Sequence, residues 1–316
     1  MSRDQGATPL KMWESSPPES SLHELIIENS WLIDHPLCWT AKHLQILHCA
    51  FHDIDVLPGA ETQTQTTLPD ADAVRFAKML ANHRTPLKKY MAAIELLCSE
   101  GSPLEQVRSD APSFIFNGRR VRIPDCEVFC PTTTTTSPAA NHSTSPLVIG
   151  YLHYDLVMTA REKKFKAGVY FEGGWNHNML QKKLEKCKPE IWTRDPYLVC
   201  VMLSLAQLRR RDLYPSLPAN YEVRLLTSKK GDTTHAHVFD AEFHISVLDE
   251  LDGPSEYVKA TWPTIYHTRV PYEPYDTFAS RITAHLARDI YVEPKIMFKN
   301  ETPSMWTQTL VMMDSK

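Results

Sequence analysis

DPYLVCVMLSLAQLRRR, residues 195–211, is the stretch from which the fold can be read. Asp195 offers a carboxylate to the free amides of a helix start, and the φ of Pro196 is preset for the first helical position. Tyr197 to Leu208 is apolar on nearly every face, and a helix that is hydrophobic all round belongs in a core. Arg209 to Arg211 then fall where the helix dipole favours cations. The run therefore predicts a buried central helix.

Downstream, the spacing predicts a strand over Tyr221 to Thr227, a polar turn at Lys229 to Asp232, and a second strand over His235 to His244. A short helix over Ser246 to Leu251 and a strand over Thr264 to Val270 follow. Asp276 caps a last helix with the stripe Phe278, Ile282, Leu286. Helix, strand, strand, helix, strand, helix with antiparallel neighbours gives an α+β fold, a small antiparallel or mixed sheet around the buried helix. Just upstream, Leu147 to Thr159 reads as a strand that pairs with Ala167 to Phe171, and Asn176 caps a helix ending near Cys187.

The N-terminal part reads as mostly helical. Leu22 to Asp34 and Thr40 to Phe51 carry clustered apolar residues. Asp70 or Asp72 caps a helix to about His83, and Thr85-Pro86 starts its partner, ended by Gly101. Ser113 to Ile123 is a β-hairpin turning at Asn117-Gly118. PTTTTTSPAANHSTSP, residues 131–146, has little to bury and reads as a loop or linker. The expected divisions are a disordered 1–21, a mostly helical 22–130, the linker 131–146, an α+β core at 147–295 and a tail at 296–316.

A net charge of −4 over 316 residues leaves no basic excess for phosphate neutralisation, which points away from nucleic acid. Nowhere do about 18 apolar residues run together, which points away from a membrane, and no secretory h-region stands at the N-terminus. Seven widely spaced cysteines without a signal read as reduced thiols. The expectation is a soluble intracellular protein, cytoplasmic or nuclear.

The densest candidate site is His235 to His244. On a strand, Asp240, Glu242 and His244 share one face, opposite His235, His237, Phe239, Ala241 and Phe243. Asp240 and Glu242 are the candidate metal ligands, for a divalent metal, and with His244 the candidate catalytic groups of acid–base work. The competing reading is the polar face of a sheet packed on one side. His235 and His237 read as satisfied, half-buried histidines. A nuclease-like hydrolase would place Lys two residues after Glu242, where His244 stands. Cys126 and Cys130 with His142 lack the second closely spaced pair of a structural zinc site. With ten glycines, no phosphate loop or dinucleotide fingerprint occurs, and no cofactor-binding residue is assigned. Tyr266, Tyr272, Tyr275 and Phe278, with Trp262, either line a pocket or pack on the sheet.

WTRDPYLVCVMLSLAQ (192–207), HVFDAEF (237–243) and HTRVPYEPYDTF (267–278) together resemble a set of uncharacterised proteins of filamentous ascomycete fungi. The resemblance covers roughly the C-terminal half and carries no catalytic residue over. It implies an intracellular protein with an accessory role in the setting of secondary metabolism, while the missing enzyme motifs, the threonine-rich loop and the helical N-terminal part point to an interaction protein with a protein partner. The alternative is a metal-dependent hydrolase working through Asp240, Glu242 and His244.

Overall fold

A computed structural model describes residues 20–54, 70–107, 111–132, 147–167, 170–171, 174–175, 177–213, 217–256 and 259–288. The expected disordered 1–21, the loop 131–146 and the tail 296–316 lie wholly or almost wholly outside these residues. The chain enters through α1 (Leu22–Glu28), where Ser21 and Glu24 form a reciprocal capping box. Short 3₁₀ turns at Ser30–Ile33 and Pro36–Cys38 and helix α2 (Ala41–Ile46) follow. The two long helices expected here are thus broken up. Asn29 caps α1, and Pro36 denies the donor that a continued helix needs. His48 takes a positive φ of 53° and turns the chain into a strand, β1 (Phe51–Ile54).

The helical hairpin forms as expected, with α3 (Ala71–Asn82) capped by Asp70 and α4 (Pro86–Leu97) opened by Pro86. Lys89 is buried between the two helices and donates to the Leu80 and Ala81 carbonyls at 2.5 and 3.1 Å. It thereby satisfies orphan acceptors at the end of α3. Burial pushes its pKa down to about 8. Strand β2 (Leu104–Gln106) precedes the hairpin of β3 (Phe114–Phe116) and β4 (Arg119–Arg122). Asn117 and Gly118 turn it with φ of 50° and 67°, the primed geometry that the Asn-Gly pair predicts.

Strand β5 (Glu127–Pro131) leads toward β6 (Leu147–His153), which stops six residues short of the expected Thr159 and passes into α5 (Asp155–Ala167). The apolar run Leu156-Val-Met158 fits either period, and Asp155 in the first turn with Lys164 and Lys166 in the last favours a helix. Tyr170–Phe171 (β7) pairs with Gly174–Trp175 (β8) instead of with β6. Then come α6 (His177–Cys187), a turn at Trp192–Arg194, α7 (Pro196–Leu213), β9 (Asn220–Ser228), β10 (His235–His244), α8 (Ile245–Asp252), β11 (Ile265–Pro271) and α9 (Tyr275–Leu286). The order read from the sequence for this region is the order observed.

Seven strands form one mixed sheet in the order β1-β11-β10-β9-β6-β5-β2. β6 runs parallel to β9 and β1 parallel to β11; the other neighbours are antiparallel. The fold is α+β. The part read as mostly helical contributes β1, β2 and β5 to the same sheet as the C-terminal core.

Helices cover both faces of this sheet. On one, every residue of α7 from Pro196 to Leu208 is buried, in a core shared with Val148, Val223, Phe239 and Phe243. On the other, α3, α4 and α9 pack over Ile149, Tyr151, Leu226 and Val238. Gly150 lets α7 approach: a Cβ there would stand 2.6 Å from Leu205 Cδ1 and 2.9 Å from Cys126 Sγ. Asp195 accepts from the Tyr197 amide at 2.9 Å and takes both guanidinium nitrogens of Arg161 at 2.7 Å, with Tyr154 Oη donating at 2.7 Å. Arg161 and Asp195 are both 0 % exposed, so this bidentate pair with its extra hydrogen bonds ties α5 to the start of α7.

Candidate functional site

The three residues marked by the sequence share a face of β10 but do not converge. Asp240 stands opposite Arg224 of β9 and lies 3.1 Å from Arg224 Nε and 3.1 Å from an Arg288 nitrogen, with His285 Nε2 at 3.9 Å. Arg224 reaches Glu222 and the Leu286 carbonyl as well. Two guanidinium groups already face this carboxylate, and their charge opposes binding of a divalent cation. Glu242 is exposed beside Glu222, and His244 caps α8 by accepting from the Ser246 amide at 3.2 Å. Among the described residues, no group of three or more His, Cys, Asp and Glu side chains could hold a metal ion. Arg224 escaped notice because its pairing with Asp240 depends on strand register.

A polar chain lies on the other face of the same strand. Register sets Phe239 of β10, His267 of β11 and Asp53 of β1 side by side, with His237 one pleat along from Phe239. Asp232, from the turn between β9 and β10, has its Oδ2 2.8 Å from His237 Nε2. His237 Nδ1 is 2.9 Å from His267 Nε2, and His267 Nδ1 is 2.7 Å from Asp53 Oδ1. Arg194 donates to the other Asp53 oxygen at 3.1 Å. The imidazoles lie nearly parallel at 5°, Phe239 stacks on His267, and Trp192 sets its ring against His237 with centroids 4.6 Å apart. Both imidazoles are buried, whereas the Asp232 and Asp53 side chains are 23 % and 52 % exposed. The chain therefore joins two solvent-reached carboxylates through two buried rings.

Its electrostatics follow from that placement. Burial pushes the His237 pKa down to about 4, opposed by its bond to Asp232, and burial likewise lowers His267 against Asp53. The hydrogen bond from His267, seconded by Arg194, holds Asp53 below the usual carboxylate value. For Asp232, burial works upward, but bonds from His237, the His235 amide and the Thr234 hydroxyl prevail and keep it at about 2. Each of the three contacts needs one proton, and two neutral imidazoles bring only two. With both carboxylates ionised, the chain is one proton short, and a third proton on the imidazole pair completes it.

Of these residues the sequence singled out only His237, read as half-buried and satisfied; it is buried, and its partners come from elsewhere. Asp53 and His267 are 214 residues apart, and no local spacing joins them. The signal within reach was Asp232, five residues before His237 across a tight turn.

The remaining candidates fall apart in space. Tyr272 and Phe278 are buried against each other with centroids 5.0 Å apart, Tyr266 is exposed, and Tyr275 lines an open groove with Val74 and Lys78. Cys126 and Cys130 are free thiols, and His142 lies outside the described residues. No described helix is long and apolar enough to cross a membrane. No protein-family model matches the chain, and no curated protein matches it.

Proposed function

We propose that the protein is a hydrolase of the general acid–base class, with the His237–His267 pair as its proton store and Asp53 and Asp232 as the groups through which protons enter and leave. The observation that carries this reading is the continuous run of contacts at 2.8, 2.9 and 2.7 Å between two solvent-reached carboxylates, which a third proton on the imidazole pair turns into a complete hydrogen-bond chain. Proton transfer by positioned imidazoles and carboxylates accelerates reactions by about 10²–10⁴-fold. Arg194, half-exposed beside Asp53, is placed to steer an anionic substrate toward it.

Two measurements test the reading together. In an NMR titration of the imidazole rings, His237 and His267 should take up one proton in a common step below the ordinary histidine range. Asp53→Asn, at a position that touches His267 but not His237, should shift the His237 curve too. With p-nitrophenyl acetate as probe, His267→Gln should lose about 10²-fold or more in rate. Independent ring titrations together with equal hydrolysis by the two proteins would overturn it.

An accessory role with a protein partner is the second reading. It is favoured by Leu87 and Met91, 69 % and 53 % exposed and one turn apart on the outer face of α4.

A further inference from the structure

Cys38 ends the turn Pro36–Cys38, and Cys187 ends α6. The two are 149 residues apart, yet Cys187 Sγ lies 3.5 Å from the Cys38 carbonyl oxygen. The two thiols are near enough that the ionisation of each acts on the other. They pack with Phe165, Leu180 and Leu184 in a small apolar cluster separate from the two main cores. Cys187 is buried within it, and Cys38 is half-buried at its rim. Arg161 is anchored through Nε on the Leu37 carbonyl at 2.9 Å, next to Cys38 in the chain, and its charge acts on Cys187. The neighbouring Cys38 thiol and, against burial, the Arg161 charge hold the Cys187 thiol below its usual pKa, whereas the Cys187 thiol and burial push Cys38 up. A thiolate-leaning sulfur with a second thiol against it has both halves of a peroxide reaction, an attacking group and a resolving group.

We propose that Cys38 and Cys187 are a peroxide-reactive dithiol, which closes to a disulfide that pins the N-terminal segment to α6. The Cys187 thiolate attacks one oxygen of a hydroperoxide. An S–O bond forms, the O–O bond breaks, and the departing hydroxide takes the proton that Cys187 gave up, leaving as water. The Cys38 thiol then attacks Cys187 Sγ. The S–S bond forms, the S–O bond breaks, and the Cys38 proton leaves with the hydroxyl as a second water. Two thiols lose two electrons, and one hydrogen peroxide becomes two waters. Arg161, already committed to Asp195, stabilises the thiolate as a positioning residue and exchanges no proton.

The test treats the full chain with a few equivalents of hydrogen peroxide, then counts thiols in denaturant and maps peptides by mass spectrometry. Two of the seven thiols should disappear, with one new cross-linked peptide joining Cys38 to Cys187. Oxidation should also raise the thermal midpoint, because the bond closes a long loop. Cys38→Ser should yield no cross-link and leave Cys187 as a sulfenic acid that dimedone captures. If that variant fails to fold, the wild-type map decides alone. Seven surviving thiols in folded wild type, or cross-links between other cysteines, overturn the proposal.

Discussion

Arg161 and Asp195 show how much one residue can carry here. Both are fully buried, and each is the other's neutralising partner. Arg161→Met strands the Asp195 carboxylate in the core, a change that costs about 3–5 kcal/mol. Urea unfolding should show the free energy of unfolding falling by that amount, as a lower midpoint with an unchanged slope. Asp195 was legible in the sequence as a helix cap, and it caps α7. Its ion pair was not, because Arg161 lies 34 residues earlier and nothing local points to it. Asp240, Glu242 and His244 show the converse. The period-two pattern placed them on one face correctly, yet only register reveals that Asp240 meets Arg224 while Glu242 meets water. Asp53 and His267 escaped for the same reason. A chain of polar contacts across three strands is a property of pairing, and pairing is not written in any one segment.

Among the elements, those with strong local signals formed where expected: α3, α4, the β3–β4 hairpin, α7, β9, β10 and α9. Caps, a proline at the first position and the Asn-Gly turn act over a few residues, so they can be read without the fold. The strand β1 and the helix α5 were misread because their apolar residues fit more than one period, and tertiary packing made the choice. The contact of α7 with β6 gives the sharpest test at this scale. Gly150→Ala puts a methyl group into Leu205 and Cys126, and the overpacked core should lose about 1–3 kcal/mol. A denaturation midpoint equal to wild type would mean that α7 does not sit as close to the sheet as described.

The molecule as a whole should weaken in mild acid. His35, His237 and His285 each have an imidazole pKa pushed from 6.5 down to about 4, first of all by burial. Between those values the unfolded chain binds more protons than the folded one. Stability is therefore present in full above pH 6.5 and is lost as the pH falls toward 4. Urea midpoints at pH 7.5, 5.5 and 4.5 should descend in that order; a flat series would remove burial as the cause. The architecture also has a consequence in time. Among the described residues β1 has one partner, β11, and Asp53 meets His267 at a sequence separation of 214. At a ribosome's roughly 5–20 residues per second, β1 emerges about 10–40 s before the strand that receives it exists. The nascent chain must keep a strand-forming segment unpaired through most of its own translation. The edge that β1 finally occupies is thus the last part of the sheet to be completed, and translation pauses before β11 lengthen the interval in which a chaperone must guard it.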